Sequence, residues 1–488
     1  MPESVDVLIV GAGFSGLCMA IQLRKAGIDS FLVIEKGAEI GGTWWYNRYP
    51  GCACDIPSHL YSFSFDRNPD WTRRYAAQPE ILDYLRATAK RHGVDGRIRL
   101  NTALREATWD EQGGVWHAIA GDGLRIDARV LVSAMGALHI PRYPELTGME
   151  RFAGPAFHSA EWDSSVDLAG RNVAVIGTGA SAIQFVPRIA PLAARLFVFQ
   201  RTPSWILPRP DGPIPERWRR LFRGVPGATW LLRTLIFWQL EMYVFSFLGN
   251  RTLRKLGEKQ ARRHLEKQVP DPQLRERLTP GYEFGCKRIA ISSDFYPALM
   301  RPHVELVTSA ISEVRPHSIV REDGVERPVD TIVYGTGFRA TDLLRGIRIA
   351  GRSEIEIQEA WKQRISAYLG ITVSGFPNFF LLLGPNTGLG HNSVILMIEA
   401  QVRYVMSCLR LMRRRGESVM DVRQAAQQRF VEEMRGRLPG TVWESGCRSW
   451  YQDERNGEST AIWPASVVAY QRRTRSAAEG DYVFGPAG

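Results

Sequence analysis

Two short apolar runs in the chain each end at a glycine-rich turn and lead into a segment whose apolar residues recur with a helical period. The first is VDVLIVGAGFSGLCMAIQL at 5–23, and the second is RNVAVIGTGASAIQFVPRI at 171–189. Such a run predicts a buried strand, and the periodic segment after it predicts a helix. Two further runs, VLVSAMGAL at 130–138 and TIVYGTGF at 331–338, also end in small residues. The pattern predicts an α/β fold with two Rossmann-like dinucleotide-binding domains.

The first glycine turn has the spacing GxGxxG, which alone is a weak sign of a nucleotide site. Here it follows a predicted strand and opens a helix, which disfavours a glycine turn without a ligand. Gly11 allows the tight turn, Gly13 lets the backbone approach a pyrophosphate, and Gly16 lets the helix pack close to the strand. Glu35 ends the second predicted strand, where a carboxylate binds free ribose hydroxyls. This turn is therefore predicted to bind FAD.

The second turn repeats the spacing with Gly177, Gly179 and Ala182. Arg201 follows the end of this turn by nineteen residues, the distance at which Glu35 follows the first turn. A carboxylate there would repel a 2′-phosphate, whereas a guanidinium binds it with two hydrogen bonds, and Thr202 adds a hydroxyl donor. The second turn is predicted to prefer NADPH over NADH. A surface charge without a ligand is the alternative interpretation of Arg201.

The runs at 130–138 and 331–338 are interpreted as the two crossings between an FAD domain and an inserted NADP domain. The FAD domain is expected at 1–138 and again at 336–488, where it includes a C-terminal lid region. The NADP domain is expected at 139–335. Within it, residues at about 205–280 are too many and too helical for a connection, so they are predicted to form a helical insertion.

Composition narrows the partners of the chain. Its 488 residues are 44% apolar and 23% charged, enough for two or three ordinary cores. The N-terminus enters a strand at once, without the features of a signal peptide, which favours a cytoplasmic location. The net charge of +11 is accompanied by no nucleic-acid-binding motif, so no nucleic acid partner is expected. The six cysteines are expected as free thiols, and Cys52 and Cys54 lack a second pair, so no metal site is expected.

The most membrane-like segment is ATWLLRTLIFWQLEMYVFSFLGN at 228–250. Arg233 and Glu241 interrupt it, so no uninterrupted apolar run reaches the length of a membrane span. A buried or lid helix is predicted, with peripheral contact with lipid as the alternative. The chain is expected to be a monomer or a homodimer.

The segment before the second turn carries a fingerprint, FxGxxxHxxxW, formed by Phe152, Gly154, His158 and Trp162. By this pattern the chain resembles the Baeyer–Villiger monooxygenases, within the class B flavoprotein monooxygenases; related flavin-containing monooxygenases and N-hydroxylases carry Tyr or Phe at the position of Trp162. A second family pattern is complete in GGTWWYNRYPGCACD, with Gly42, Trp44, Tyr49, Pro50, Gly51 and Asp55. Weaker likeness continues through KRIAISSDFY at 287–296 and GCRSWY at 446–451.

The resemblance implies an enzyme that uses FAD, NADPH and O2 to convert ketones into esters or lactones. In that chemistry a flavin peroxide must remain anionic, and a fixed cation stabilises it. Arg288 matches the family's active-site arginine, and Asp55 matches the acid that orients it. Lys287 matches a residue that reaches the NADP phosphate, and Trp450 one that packs on the nicotinamide nucleotide. A solvated dibasic pair on the surface is the alternative for Lys287 and Arg288.

The resemblance makes His158 a residue of the linker between the two domains, and a satisfied buried histidine is the equally supported alternative. Asp55 and Arg288 are predicted to be catalytic. The predicted cofactor-binding residues are Gly11, Gly13, Ser15, Gly16, Glu35, Thr43, Trp44, Asp55, Tyr61, Gly177, Thr178, Gly179, Ala180, Ser181, Ala182, Arg201, Thr202, Lys287, Arg288 and Trp450.

The chain departs from the family pattern in two places. QDERNGEST follows the SWY segment instead of a glycine-rich stretch, and GPNTGLGHNS at 384–393 is a variant form in which His391 is interpreted as a capping or packing residue. Two other functions stay open: oxygenation of sulfides or amines, and an uncoupled NADPH oxidase. Trp162 and the pair of Asp55 and Arg288 favour the ketone monooxygenase. A disulfide reductase is disfavoured because Cys52 and Cys54 do not form its redox pair.

Overall fold

The computed structural model describes residues 2–121 and 123–485. Its strands are β1 (Glu3–Val10), β2 (Phe31–Ile34), β3 (Ile98–Arg99), β4 (Leu104–Asp110), β5 (Val115–Ala120), β6 (Leu124–Ser133), β7 (Ala156–His158), β8 (Asn172–Ile176), β9 (Arg195–Phe199), β10 (Ile206–Leu207), β11 (Ala290–Ile291), β12 (Val304–Val307), β13 (Ile311–Arg315), β14 (Ser318–Arg321), β15 (Glu326–Pro328), β16 (Thr331–Tyr334), β17 (Arg348–Ala350), β18 (Phe379–Leu381), β19 (Val419–Val422) and β20 (Tyr482–Gly485). Its helices are α1 (Phe14–Lys25), α2 (Thr43–Tyr46), α3 (Gln78–Arg91), α4 (Ala182–Ile189), α5 (Glu216–Gly224), α6 (Ala228–Glu241), α7 (Val244–Phe247), α8 (Arg251–Gln268), α9 (Pro272–Leu278), α10 (Phe295–Leu299), α11 (Ile357–Ala360), α12 (Val394–Arg415), α13 (Gln424–Arg437) and α14 (Val467–Arg473).

The first large sheet has the strand order β17-β4-β5-β6-β1-β2-β3, and β18 also pairs with β6. β1 runs parallel to both β2 and β6, whereas β4, β5 and β6 form an antiparallel meander. In the sequence, β1 to β6 precede the strands of the second sheet, whereas β17 and β18 follow them. The first sheet is therefore built from two separate parts of the chain. The apolar run of β1 suits this position, since a central parallel strand is buried on both faces.

The second large sheet has the order β12-β9-β8-β16-β7, and all of its strands are parallel. β8, α4 and β9 form the strand–helix–strand unit that the second glycine turn predicts. A three-stranded antiparallel sheet, β13-β14-β15, lies between β12 and β16 in the sequence. The predicted fold class, an α/β protein with two Rossmann-like units, is confirmed.

The helical insertion lies between β10 and β11 and contains α5 to α9. Within α6 the buried residues are Thr229, Arg233 and Glu241, while Trp230 and Leu235 are exposed. Of the two predicted alternatives, a buried helix is wrong, because one side of α6 is exposed while Ile236, Phe237 and Leu240 pack against the core; a lid helix stays a prediction. Across the described chain, no single helix has the length and apolar character to cross a bilayer. The pair Ala228–Phe247 and Arg251–Gln268, bent by 107°, passes that test only when taken together.

Two of the cysteines form a disulfide in the structure, Cys286 with Cys447. The expectation of six free thiols is wrong for this pair. The fold brings these positions, 161 residues apart in the chain, to a Cα separation of 6.3 Å, which lies in the range that a disulfide requires. Cys18, Cys52, Cys54 and Cys408 are free and buried.

Candidate active site

The first glycine turn leaves no room for side chains where the strand meets the helix. Gly11 has φ of +108°, and a Cβ there would lie 2.7 Å from the carbonyl oxygen of Ala134. A Cβ on Gly16 would lie 1.8 Å from the carbonyl oxygen of Gly11. A Cβ on Gly13 would face the Cα of Gly42 at an ordinary 3.5 Å. The turn is thus a bare backbone cradle at a helix N-terminus, which fits a pyrophosphate.

The carboxylate of Glu35 is buried at the end of β2. Its Oε2 accepts a hydrogen bond from the Ala12 N–H, and its Oε1 accepts one from the Gly37 N–H, both at 2.8 Å. These bonds fix the carboxylate beside the turn. A carboxylate has about four lone-pair sites, so it can also accept from ribose hydroxyls. Glu35 therefore fits the predicted role.

Other predicted residues of the first site lie around the same turn. Ser15 is buried in the first turn of α1, and Thr43 begins α2. The Gly41 N–H donates to the Ala12 carbonyl at 2.9 Å, which holds the start of α2 against the turn. Trp44 is buried, and its Nε1 donates to the hydroxyl of Tyr61 at 3.2 Å. The structure thus brings all of these residues together.

The second glycine turn repeats the backbone of the first. Gly177 has φ of +109°, and a Cβ there would lie 2.4 Å from the carbonyl oxygen of Gly335. Gly179 and Ala180 are exposed, Ser181 is half-buried, and Ala182 begins α4. This cradle also fits a pyrophosphate at a helix N-terminus.

Two hydroxyl side chains connect the second turn to the end of β9. The Thr178 hydroxyl donates to the Thr202 carbonyl at 3.4 Å, and the Ser204 hydroxyl donates to the Thr178 carbonyl at 3.0 Å. The chain after β9 is therefore held against the turn, where the ribose of a bound dinucleotide would lie. Both predicted residues, Thr178 and Thr202, belong to this contact.

Sequence spacing predicts that Arg201 occupies the position that Glu35 occupies in the first sheet. The structure shifts this correspondence by one residue. In each sheet the first glycine of the turn donates its N–H to the carbonyl of the last strand residue, Ile34 in the first sheet and Phe199 in the second. The next residue is Glu35 in the first sheet and Gln200 in the second. Arg201 lies one position further and is exposed. The acid position is therefore occupied by a neutral amide, with the guanidinium beside it.

Lys287 lies near Arg201, although the two are far apart in the sequence. Burial, and then the positive charge of Arg201, lower the pKa of Lys287 below its usual range. The Lys287 Nζ lies 5.0 Å from the centroid of the Tyr282 ring. Within the described residues neither cation has a carboxylate partner. The two cations repel each other, and no carboxylate offsets this repulsion. A bound phosphate would do so, which makes the pair a suitable phosphate site.

Arg288 and Asp55 form an ion pair across the two Rossmann-like units. The Arg288 Nε donates to the Asp55 Oδ2 at 3.1 Å, and Nη2 donates to the same oxygen. Their side chains are 32% and 30% exposed, so the pair is partly accessible to solvent. The charge of Asp55 raises the pKa of Arg288 above its usual range, and burial opposes that rise. The guanidinium is therefore permanently charged and fixed in orientation.

The loop that carries Arg288 is held from two sides. β11, which begins at Ala290, pairs with β10, and the disulfide from Cys286 ties the loop to Cys447 in the GCRSWY segment. Tyr451 in that segment is buried beside Arg288. Burial raises the Tyr451 pKa to about 12, and the Arg288 charge works against that rise. Trp450 is 37% exposed next to Tyr451, a position open to a ligand.

The loop that carries Asp55 is held by the second Rossmann-like unit. Gln184 in α4 donates from Nε2 to the Ala53 carbonyl at 3.0 Å, and its Oε1 accepts from the Tyr49 hydroxyl at 3.0 Å. The Trp162 ring lies 5.5 Å from Phe185, the next residue of α4, measured between ring centroids. The fingerprint residue Trp162 thus packs against α4, the helix whose Gln184 side chain holds the loop of Asp55.

The other fingerprint residues lie where the chain enters the second sheet. Phe152 packs against the core on one face of that sheet. A Cβ on Gly154 would lie 2.3 Å from the carbonyl oxygen of Asp330, so only glycine allows this close approach to the chain before β16. Both residues support the second sheet rather than the reacting atoms.

His158 is buried at the end of β7. Its ring lies 5.6 Å from those of Tyr143 and Phe338, which belong to the two segments that connect the sheets. Nδ1 accepts a hydrogen bond from the Ala160 N–H at 3.1 Å, and Nε2 has no hydrogen-bond partner within the described residues. Burial lowers its pKa, which favours the neutral form of the ring. This location fits the linker role, which stays a prediction.

His391 is buried against Glu241, a location that fits the predicted capping or packing role. Its Nε2 lies 3.3 Å from Oε2 of the buried Glu241, and the Asn392 side chain donates to the same oxygen at 2.9 Å. The Val468 N–H donates to Oε1 at 3.1 Å. Burial alone would raise the pKa of Glu241, but these hydrogen bonds outweigh it and hold the pKa below the usual range.

Sequence reasoning missed several residues of the site. Tyr451 and Cys447 lie inside the GCRSWY segment that resembles the family, but nothing in that segment indicates its contact with the Arg288 loop. Gln184 and Gln200 carried no signal either, because their partners lie far away in the sequence.

Comparison with known proteins gives concordant results. Residues 8–211 match the sequence profile of the pyridine nucleotide-disulphide oxidoreductases. A Baeyer–Villiger monooxygenase of Pseudomonas aeruginosa is 46% identical over 471 residues, which are 96% of this chain and 89% of that protein. The crystal structure of OTEMO with FAD and NADP is similar with a TM-score of 0.89 and 28% identity, over 99% of each chain. A closed structure of cyclohexanone monooxygenase gives a TM-score of 0.90 and 27% identity, over 100% of each chain.

The two glycine cradles, the fingerprint and the ion pair of Asp55 and Arg288 agree with these similarities. Identity at this level over nearly the whole chain is decisive for family membership. The chain belongs to the Baeyer–Villiger monooxygenases and is a flavoprotein monooxygenase.

Proposed function

We propose that this chain oxygenates ketones to esters or lactones, with FAD bound at the first glycine turn, NADPH at the second, and Asp55 and Arg288 at the reacting atoms. The observation that carries the proposal is the ion pair itself. Arg288 follows Lys287 of the cationic site in sequence, and Asp55 belongs to the loop beside the first turn. A fixed cation therefore lies between the two nucleotide sites.

When bound, FAD and NADPH supply hydride transfer and oxygen activation. The residues of the chain supply electrostatics and orientation. An oxygen that attacks a carbonyl carbon must carry negative charge, and a permanent cation beside it stabilises that charge without reorganisation. Arg288 has this property because its guanidinium cannot lose its proton in the folded enzyme. Asp55 fixes the direction of the guanidinium through two hydrogen bonds to one carboxylate oxygen.

The structure supports a positioning role for the elements around this pair. Gln184 and Trp162 hold the Asp55 loop and its helix, and the disulfide holds the Arg288 loop. The partners of the ion pair are thus fixed from opposite domains. A movement of one domain against the other would change the geometry of the pair, which is a reason to keep His158 as a linker residue in the proposal.

The relatives support a ketone as substrate, since one of them is named cyclohexanone monooxygenase. Oxygenation of sulfides or amines is the second candidate function, and an NADPH oxidase is the third. Paired ketone and sulfide substrates, with product mass as the readout, separate the first two. NADPH consumption measured with and without ketone separates the third. A cytoplasmic location and the oligomeric state stay predictions.

The decisive variant is Arg288→Ala. We expect ester formation to fall about a hundred- to a thousandfold, because one preorganised charge is lost at the reacting oxygen. FAD content should be unchanged, and NADPH consumption should continue with hydrogen peroxide as the product. Asp55→Ala should weaken ester formation less, since the charge remains without its orienting partner.

Arg327→Ala is the matched control, because it removes another ion pair, with Glu305 at 2.7 Å, between β15 and the edge strand β12 of the second sheet. It should leave ester formation and coupling unchanged. Near-normal ester formation by Arg288→Ala, with a ketone that the wild type converts well, would overturn the assignment of Arg288.

A further inference from the structure

The helical insertion carries most of the large apolar side chains that are exposed in the described part of the chain. Within residues 2–121 and 123–485, twenty large apolar side chains are exposed, and thirteen of them lie between 218 and 256. They are Trp218, Leu221, Val225, Trp230, Leu231, Leu235, Trp238, Met242, Tyr243, Phe245, Leu248, Leu253 and Leu256. Single exposed apolar residues are ordinary, but such a concentration marks an interaction surface.

The centre of this surface is one side of α6. Leu231, Leu235, Trp238 and Met242 follow one another at spacings of four, three and four residues, so they form a single stripe along the helix. They are 54%, 60%, 53% and 55% exposed. This stripe, together with the neighbouring Trp230, is called the apolar face below.

The opposite side of α6 packs against the core through Ile236, Phe237 and Leu240, and the buried charges Arg233 and Glu241 fix the orientation of the helix. Arg233 Nη1 donates to three backbone carbonyl oxygens at 2.9 to 3.1 Å, those of His59, Leu60 and Ser62. Glu241, two turns later, is held by the hydrogen bonds described above. Turning the helix to bury the apolar face would leave both charges without these partners, at a large cost. The fold therefore enforces exposure of the apolar face.

Basic residues border the apolar face on two sides. The segment 216–267 contains twelve Lys and Arg and four Asp and Glu, a net charge of +8 in a chain whose net charge is +11. α5 exposes Arg217 and Arg220, and α8 exposes Arg251, Lys255 and Lys259. α5 contacts α6, and α8 contacts α7, which directly follows α6. The surface is therefore apolar at its centre and cationic at its edges.

We propose that this surface binds the face of a bilayer that contains anionic phospholipids. A helix that lies in a membrane interface presents Trp, Phe and Leu to the acyl boundary and Lys and Arg to the headgroups, which is the composition found here. A second copy of the chain fits less well, because a symmetric contact would place two segments of +8 against each other. Because α8 exposes Arg251, Lys255 and Lys259, the proposed binding is peripheral rather than a bilayer span by the bent pair.

The test is flotation of the FAD-loaded full-length enzyme with lipid vesicles. One vesicle type is phosphatidylcholine alone, and the other contains about one quarter phosphatidylglycerol. We expect binding to the anionic vesicles, with at least about tenfold weaker binding to the neutral ones and after salt is raised from about 0.1 M to about 0.5 M. No binding to the anionic vesicles overturns the proposal.

Two variants test the two parts of the surface. The double variant Leu235→Glu with Trp238→Glu should abolish flotation. Its control is the double variant Leu192→Glu with Ile355→Glu, which changes two similarly exposed apolar residues outside the apolar face. Lys255→Glu with Lys259→Glu should weaken binding at least about tenfold, and its control, Arg97→Glu with Arg301→Glu, changes the net charge equally. Retained flavin content and melting temperature show that each variant is folded.

Equal loss in a variant and its control would overturn the proposal, because binding would then depend on net charge or stability alone. Light scattering in the absence of lipid distinguishes the other occupant of the face. A wild-type dimer that Leu235→Glu with Trp238→Glu converts to a monomer would assign the apolar face to a second copy and overturn lipid binding. These readouts do not depend on catalysis, so they stand apart from the test of Arg288.

Discussion

The two glycine turns of this enzyme have the same backbone conformation, but they differ in whether a side chain fits at the last position of the motif. Gly11 and Gly177 have nearly the same φ, and a Cβ at either position would strike a carbonyl oxygen. At the sixth position of the motif the turns diverge. A Cβ on Gly16 would lie 1.8 Å from a backbone oxygen, whereas Ala182 carries a Cβ in the same place. The first helix therefore passes closer to its strand than the second one does.

The strand ends diverge further. Glu35 is buried, and its oxygens accept hydrogen bonds from the turn. Gln200 is also buried, but its amide donates to the Arg277 carbonyl rather than to the turn, and the next residue is the exposed Arg201. The shared backbone thus fits a pyrophosphate in both units, and we propose that the residues after the second strand select the ribose. A fixed carboxylate suits hydroxyls, and a neutral amide beside exposed cations suits a phosphate.

The largest expected effect comes from exchanging the residues at the sixth motif position. Gly16→Ala should prevent flavin binding and lower the free energy of unfolding by about 3 kcal/mol, because backbone atoms must move to admit the Cβ. The matched variant Ala182→Gly should cost about 0.5–1 kcal/mol and keep the flavin. Flavin absorbance and thermal melts measure both effects. A flavin-loaded Gly16→Ala enzyme with a wild-type melting temperature would show that the two turns do not differ in this way.

A smaller effect is expected at the end of the second strand. Arg201→Ala should raise the KM for NADPH roughly ten- to a hundredfold, the value of one charge-assisted contact with a phosphate, and change the KM for NADH little. Arg195→Ala, at the opposite end of β9, is the control and should change neither KM. Steady-state kinetics with both cofactors give the answer. Equal increases for NADPH and NADH would remove Arg201 from the phosphate site.

Features of the two nucleotide sites that depend on neighbouring residues in the sequence were predictable, whereas features that depend on distant partners were not. The glycine turns and Glu35 follow from short patterns, because the turn, the strand and the helix are contiguous. Sequence spacing placed Arg201 opposite Glu35, but the connection through α4 is one residue shorter than the connection through α1, so Gln200 takes that position.

Long-range contacts explain the other corrections. The disulfide joins positions 161 residues apart, and neither cysteine lies in a pattern that names the other. The exposed apolar face of α6 depends on carbonyl groups at 59–62, which accept hydrogen bonds from Arg233. Without knowledge of these hydrogen bonds, an apolar segment such as α6 is predicted to be a buried helix. The ion pair of Asp55 and Arg288 was predictable only through resemblance to the family.

The smallest expected effect concerns the second cation of the phosphate site. Burial and the charge of Arg201 lower the pKa of Lys287, so its proton is lost at a lower pH than that of an ordinary lysine. Only the protonated form attracts the 2′-phosphate, so the KM for NADPH should rise a few-fold with increasing pH, and the rise should begin at a lower pH than an ordinary lysine would give. The KM for NADH should stay flat, because NADH lacks that phosphate. Lys287→Arg should remove the pH dependence, and Arg201→Ala should move it to higher pH. Identical pH profiles for the two cofactors would place Lys287 outside the phosphate site and leave the contrast between the two nucleotide sites to Arg201 alone.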